Sequence, residues 1–324
     1  MNRPVFESTL RASRAFGIVS KNIERGAGHA YMLVSPDDEA VKEFFTLAAA
    51  AVFCPDHGCL NCTECHKILT DNHPDVINVN AERAKIKVQE IKDMISDVSV
   101  KSLSGTKAYF VYRADLMSPD AQNKLLKTLE EPPAGVTIFL GVANEAGLLD
   151  TVKSRCRRIY LDIFDRGTVR DALIKLGCGE ETASVAAACS DGQLGKARRM
   201  ALSAEYAGYY SDALALLETL RRSADVLSAE AVPSLAKDPA EFLKILTVAV
   251  RDVMTAKTGG KLYFGENVCA RLRALAERYS LRALALAVQS INNTQKKLYY
   301  GVGSAAAADR LLFDILEVRH TWQQ

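Results

Sequence analysis

The residues with the plainest chemistry are four cysteines within twelve positions, Cys54-x4-Cys59-x2-Cys62-x2-Cys65. Two of the three gaps are Cys-x-x-Cys, the spacing that lets short turns converge thiolates on one tetrahedral ion, and Gly58 supplies freedom for such a turn. A four-cysteine site holding structural Zn2+ is the expectation, since a closed thiolate shell leaves no position open for a substrate. Disulfides or free thiols are the other readings, the first disfavoured in a reducing compartment. His57 and His66 are alternative ligands or exposed loop residues.

A second group lies downstream. Glu130-Glu131 end an apolar-striped segment, and Ser154-Arg155-Cys156 is followed by Arg157 and Arg158. Paired carboxylates suit acid–base work, but no second partner is evident. Acids that meet neighbouring Arg or Lys are the plainer reading. Cys156, flanked by arginines, is either a thiol of lowered pKa or a buried structural cysteine. The chain shows no Gly-x-Ser-x-Gly, no Ser/His/Asp or Cys/His catalytic arrangement and no internal repeat.

The elements that must position these residues are legible around them. Lys107–Tyr112 is a short apolar run with aromatic and β-branched residues, a buried strand. Ser118-Pro119 is an N-cap followed by proline at the first helical position. The helix predicted over 120–131 carries Leu125, Leu126 and Leu129 on one face, and Pro132-Pro133 stops it. Val136–Val142 is the next strand and Arg158–Ile163 a third extended run. Upstream, Phe16–Arg25 reads as a helix closed by Gly26, Tyr31–Val34 as a strand, residues 41–53 as an apolar helix, and 86–98 as a helix striped by Val88, Ile91, Ile95 and Val98. Strand and helix alternate as in a parallel α/β sheet.

Between Val34 and the helix at 41–53 lies the place where a P-loop would cradle phosphate. The residues there are Ser35-Pro36-Asp37-Asp38-Glu39-Ala40-Val41-Lys42, without a glycine. Pro36 removes an amide donor. Asp37, Asp38 and Glu39 put carboxylates at a helix N-terminus, the position that would otherwise attract phosphate. Lys42 falls one residue late. Whether these acids are read as caps or as a blocked site, no ATP is expected here.

Asn123-Lys124-Leu125-Leu126-Lys127-Thr128-Leu129-Glu130-Glu131-Pro132-Pro133, taken with Ser154-Arg155-Cys156, resembles the bacterial clamp-loader subunits of the AAA+ class, and the likeness runs over the whole chain. The resemblance implies an α/β AAA+ core with a parallel sheet and inserted zinc module (1–164, module 54–65), a helical lid (165–205) and an all-α collar that oligomerises (206–324). It also implies that an acidic pair should follow the strand at 109–111, where this chain has Tyr112-Arg113; Asp115 lies too far on to replace it. Arg155 takes the place of an arginine finger offered in trans to a neighbour's γ-phosphate, with Ser154 and Cys156 its motif neighbours. A salt bridge to a nearby acid is the alternative for Arg155. Gly192–Ala197 resembles a second-sensor region, Lys196 standing at its basic position.

The function implied is that of a non-hydrolysing subunit in the loader of the replicative DNA polymerase III, a DNA-directed DNA polymerase (nucleotidyltransferase) holoenzyme. Its partners would be ATPase motor subunits and a clamp-opening subunit, with the sliding clamp and primer–template DNA reached through the complex. The rival readings are an ATP-hydrolysing motor subunit of the same loader and a zinc-containing nucleic-acid-binding adaptor.

Composition bounds these readings. With 41 Lys+Arg against 39 Asp+Glu, the formal net charge is +2, which gives no strongly basic nucleic-acid surface. The longest apolar stretch, Leu47–Cys54, is too short to cross a bilayer. No signal-peptide core accompanies Arg3, Arg11 and Arg14, and Glu7 and Glu24 interrupt a transit-peptide pattern, so cytoplasm is expected. Past residue 205 the pattern is all helix. Its apolar stripes are Leu214/Leu217/Leu220, Phe242/Leu243/Leu246/Val250/Val253, Leu272/Leu275/Tyr279, Leu284/Val288/Ile291 and Leu311/Leu312/Ile315/Leu316. Arg271, Arg273, Arg278 and Arg282 read first as a solvated face and second as a DNA or subunit contact.

Overall fold

The computed structural model describes residues 3–26, 29–80, 85–220, 225, 233–262, 265–300 and 303–321. Parts of the collar expected over 206–324 therefore lie outside the described residues. The chain divides into two compact units, 1–164 with 193–196, and 165–192 with 197–324.

The first unit is built on five parallel strands: β1 (Ala30–Val34), β2 (Val76–Val79), β3 (Lys107–Val111), β4 (Val136–Val142) and β5 (Arg157–Tyr160). Their order is β2-β3-β4-β1-β5. Around them lie α1 (Glu7–Ala12), α2 (Arg14–Glu24), α3 (Asp38–Phe53), α4 (Thr63–Leu69), α5 (Val88–Val98), α6 (Pro119–Glu130) and α7 (Asp150–Lys153). The period of two in each strand sorts side chains to two covered faces, as a parallel sheet requires. On one face the register sets Tyr31 beside Phe139 and Phe139 beside Phe110. Their rings stack at centroid distances of 4.9 Å, and Phe45 of α3 packs onto Phe110 at 5.1 Å. Gly141 lets α3 lie this close, because a Cβ there would stand 3.0 Å from Val41 Cγ1 and 3.2 Å from the Phe45 ring. On the other face Met32, Tyr109, Val111, Ile138 and Leu140 meet Ile91, Met94 and Val98 of α5 and Leu125 and Leu129 of α6.

Several boundaries differ from the sequence expectation, each for a local reason. Helix α3 begins at Asp38, three residues before the apolar run, because the Asp37 side chain caps it and Asp38 and Glu39 suit its first turn. Helix α2 begins at Arg14, where Ser13 Oγ accepts from Phe16 N at 3.2 Å. Helix α5 begins at Val88, with Glu90 reaching back to accept from Lys87 N at 2.7 Å. Its buried face is Ile91, Met94 and Val98, Val88 and Ile95 lying only partly covered. The third extended run is strand only over Arg157–Tyr160, and Ile163 is exposed. Helix α6 starts on Ser118, whose Oγ accepts from Ala121 N, and stops at Glu130.

The second unit is helical: α8 (Arg166–Lys175), α9 (Glu180–Cys189), most of α10 (Leu194–Leu202), α11 (Ala204–Thr219), α12 (Pro233–Lys237), α13 (Pro239–Lys257), α14 (Glu266–Arg278), α15 (Leu281–Tyr299) and α16 (Ser304–Thr321). The expected stripes are buried, apart from half-buried Val288. A polar knot joins three of these helices. Arg166 Nη1 of α8 donates to Asp252 Oδ1 of α13 at 2.8 Å, and Tyr210 OH of α11 donates to Asp252 Oδ2 at 2.8 Å. Two basic residues of α14 are engaged within the unit, Arg271 on Glu218 by two bonds of 2.8 and 3.0 Å and Arg273 on Glu266 at 2.9 Å. Among the described residues no helix is long and apolar enough to cross a membrane.

Candidate functional site

The four cysteines follow α3 directly. Cys54 is the C-cap of α3 and Cys62 the N-cap of α4, so two helix ends hold the loop between them. All four Sγ atoms lie within 4.8 Å of one another. Cys54 Sγ stands 3.5 Å from Cys59 Sγ and 3.6 Å from Cys62 Sγ. Four thiolates at a Zn–S distance of about 2.3 Å on a tetrahedron are ~3.8 Å apart, so the set is of a size to hold a metal ion such as zinc. No disulfide joins any of the eight cysteines. Backbone amides stabilise negative charge on the cluster: Cys59 N donates to Cys54 Sγ at 3.3 Å, Cys62 N to Cys59 Sγ at 3.3 Å and Cys65 N to Cys62 Sγ at 3.5 Å. Burial pushes the Cys54 thiol up, but the amides of Cys59, Gly58 and Asp56 outweigh it and bring it down to about 6. Burial pushes the Cys65 thiol up. Gly58 takes φ +100°, a conformation other residues rarely adopt, and its carbonyl accepts from Arg11 Nη2, which ties the loop to α1.

His57 and His66 stand outside this cluster. A third histidine, His73, is buried beside the module, and no motif in the sequence singles it out. Its ring packs on Phe53 at 4.2 Å, its Nδ1 accepts from Asp75 N at 3.2 Å, and its Nε2 lies 3.1 Å from Glu64 Oε2. Burial holds its pKa below the ordinary range. A histidine one helix away in sequence carries no spacing signal.

The P-loop position is filled by side chains of the same unit. Ser35 Oγ accepts from Asp37 N at 3.2 Å, and Asp37 Oδ1 accepts from Ala40 N at 3.2 Å in the first turn of α3. Asp37 Oδ2 accepts from Gly195 N at 2.8 Å, so one buried carboxylate serves the first turns of α3 and α10. Those amides are among the donors that a helix leaves without internal partners. A Cβ on Gly195 would stand 2.5 Å from both Asp37 Oδ1 and Glu39 Cβ, so the approach is tight. Pro36 is exposed. Lys42 is exposed and lines a different cleft, of about 250 Å³, with Phe45, Asp71 and Tyr112. The Gly195 contact spans 158 positions, and nothing in the local sequence announces it.

Where an acidic pair would follow β3, Tyr112 is buried and Arg113 adopts φ +52°. Arg113 donates from Nη2 to Asp115 Oδ2 at 3.0 Å and from Nη1 to Asp38 Oδ2 at 3.3 Å. Asp115 also accepts from Ala143 N at 3.1 Å. The hydrogen bonds and charge of Asp115, with Asp38 behind, hold Arg113 more firmly protonated than usual.

Arg155 follows α7, and its amide donates to Val152 O at 3.1 Å. Its guanidinium meets Glu130 at the end of α6 through Nε and Nη2, while Nη1 donates to Thr151 O at 2.8 Å and to Ser154 Oγ at 3.4 Å. The acid–base pairing of Glu130 with an arginine is the plainer of the two readings weighed for that helix end. Cys156 is buried, and burial pushes its thiol up to about 12, in the direction of the buried structural cysteine rather than the lowered-pKa thiol.

Residues 14–165 match the family described as DNA polymerase III, delta subunit. The chain is 30% identical over 167 residues to the DNA polymerase III subunit delta' of Bacillus subtilis, covering 50% of this chain and 51% of that one. It is 36% identical over 106 residues to the subunit delta' of Escherichia coli, covering 32% of each. It is also 32% identical over 116 residues to the DNA polymerase III subunit tau of Salmonella typhimurium, covering 36% of this chain and 18% of that one. The chain thus spans about half the length, or less, of the curated relatives it matches. The likeness drawn from the two motifs is borne out over this segment, which contains the cysteine module, the filled P-loop position and Arg155.

Proposed function

We propose, from the match of residues 14–165 to the DNA polymerase III delta-subunit family, that this chain is a delta-prime-type, non-hydrolysing subunit of a sliding-clamp loader. The observation that carries the non-hydrolysing part is the Asp37 carboxylate at the helix N-termini where phosphate would sit, accepting from Ala40 N and Gly195 N. A triphosphate would meet a fixed anion with Asp38 and Glu39 beside it, and its oxygens would have to displace that anion from those amides. The fork of Arg113 on Asp115 and Asp38 supports the same reading, since it puts a cation where Mg2+ would need carboxylates.

In this reading Arg155 serves a neighbour's site. A guanidinium at a γ-phosphate stabilises charge that develops as the terminal phosphoryl group leaves, a contribution of roughly 10³–10⁵ in rate. Cys54, Cys59, Cys62 and Cys65 would hold Zn2+, which supplies cross-linking of two helix ends and no catalysis. Residues 165–205 would act as a lid and 206–324 as a collar against other subunits. ATPase motor subunits and a clamp-opening subunit are the partners, with the clamp and primer–template DNA engaged through the assembly.

The test is paired. The isolated chain, titrated with a fluorescent ATP analogue and Mg2+, binds none saturably. In a loader reconstituted with motor and clamp-opening subunits, Arg155→Ala lowers DNA-stimulated ATP turnover by roughly tenfold or more while the complex still assembles. Arg155→Lys restores little, because an ammonium lacks the planar fork. Saturable ATP binding would favour the motor-subunit reading instead, and unchanged turnover with Arg155→Ala would remove the finger.

A further inference from the structure

The guanidinium of Arg155 is almost fully engaged within its own chain. Of its five N–H donors, Nε and one of Nη2 face Glu130, and the two of Nη1 face Thr151 O and Ser154 Oγ. A single Nη2 proton is left to point elsewhere. A group that must stabilise charge on another molecule is here neutralised by an internal carboxylate.

The position of that carboxylate is informative. Glu130 is the last residue of α6, where the helix dipole disfavours an acid and favours a cation. The acid is therefore held there by Arg155 rather than by its own helix. After the C-cap Glu131, Pro132 and Pro133 stiffen the chain beyond it. Glu130 is 46% exposed and Arg155 32%, so the pair is a partly solvated one that opens at modest cost. Glu130 also lines an open cleft of about 680 Å³ that takes in Asn22, His29, Thr106 and Thr137. A Glu130 carboxylate that leaves Arg155 for this cleft would find polar side chains there, among them Asn22 and Thr106. Asn22 on that wall has an Nδ2 group with no hydrogen-bond partner among the described residues.

We infer that Glu130 is a latch on Arg155: in the free chain it parks the guanidinium, and engagement of a neighbouring nucleotide requires the Glu130–Arg155 pair to open. This rests on the arginine-finger reading above. The phosphate oxygens of the neighbour's nucleotide compete with one carboxylate for the same donor edge, and the richer anion wins because it carries more charge. The latch keeps the arginine off stray anions until the assembly brings the right one.

Two measurements test it. In the isolated protein, the Arg155 Nε–H resonance is protected from solvent exchange; Glu130→Ala abolishes that protection and Glu130→Gln, which keeps one acceptor oxygen, weakens it, while the rest of the spectrum is retained. In the reconstituted loader, Glu130→Gln raises ATP turnover at subsaturating ATP by about two- to fivefold, the factor an exposed ion pair can contribute. Glu130→Ala does the same, and the double variant Glu130→Gln/Arg155→Ala is as slow as Arg155→Ala alone. Unchanged turnover with Glu130→Gln overturns the latch, and so does a fall toward the Arg155→Ala rate, which would make Glu130 a positioning residue. If Arg155→Ala itself leaves turnover untouched, the finger reading fails and the latch falls with it. If Arg155→Ala is slow but Glu130→Gln is not faster, the latch alone is lost.

Discussion

Replacing Asp37 by alanine removes one side chain that two helix starts share. Its Oδ1 accepts from Ala40 N at 3.2 Å and its Oδ2 from Gly195 N at 2.8 Å, with the residue buried. Loss of an N-cap costs about 1 kcal/mol. Leaving a buried amide without an acceptor costs a further ~1–3 kcal/mol. Local stability should therefore fall by about 1 kcal/mol at Ala40 and by ~1–3 kcal/mol at Gly195, the latter roughly five- to a hundred-and-sixtyfold in the opening equilibrium. Global denaturation is a poor probe in a chain of two units, whose transitions need not coincide. Amide hydrogen exchange read at Gly195 and Ala40 is the direct one. Both amides should exchange faster in Asp37→Ala, while Ala121, capped by Ser118 at 3.3 Å elsewhere in the first unit, keeps its rate. Asp37→Asn retains an acceptor oxygen and should fall between the two. The variant should still bind no ATP, since Asp38, Glu39 and Pro36 remain. If Gly195 in Asp37→Ala exchanges at nearly the rate of the unaltered chain, the carboxylate does not hold that segment, and the P-loop position is not filled in the way proposed.

The cysteine module makes its own prediction: protein purified without chelator should carry about one zinc per chain by elemental analysis. Cys62→Ser should release the metal and raise exchange throughout residues 54–69, leaving helices of the second unit protected. Asp75 gives a pH signature. Burial alone would raise its carboxyl, but the Ser104 hydroxyl and the Leu103 and Ser104 amides overcome that and hold it below the usual range. A depressed carboxyl contributes stability that is whole above its unfolded pKa of about 4 and is lost as pH falls through the folded value. Asp75→Asn should therefore destabilise the first unit at pH 7 by about 1–2 kcal/mol and flatten its stability curve below about pH 4. An acid limb of unchanged slope would refute the assignment.

What is legible in the sequence follows the range of the interactions. Strand β3 and helix α6 announce themselves through an apolar aromatic run, a Ser-Pro start and a Pro-Pro stop, all within a few residues. The cysteine set is readable because chelation demands short spacing. Helix α3 reaches further back than its apolar run, because its first turn is set by the Asp37 cap and by acids that suit the dipole, not by apolar periodicity. The contact of Asp37 with Gly195 joins residues 158 positions apart, and that of Glu130 with Arg155 joins residues 25 apart. Neither has a local signature. His73 is hidden for the same reason, buried only once α3 and α4 bring Phe53 and Glu64 to it.

In the proposed reading, where Arg155 is lent to a neighbour's phosphate and Arg113 stands in for an acidic pair, the two side chains are held in opposite ways. Arg113 is forked onto two acids, one of them Asp115 with only 4% of its side chain exposed and itself fixed by Ala143 N. Removing Arg113 from that fork would strand a buried carboxylate, a cost of several kcal/mol. It is therefore a fixed part of the wall. Arg155 leans on one half-exposed carboxylate at an unfavourable helix end, and water can replace either partner when they separate. A cation meant to close a site is bound where release is expensive. If Arg155 is lent as proposed, it has to be bound where release is cheap, and its partly exposed pairing with Glu130 meets that condition while the Arg113 fork does not.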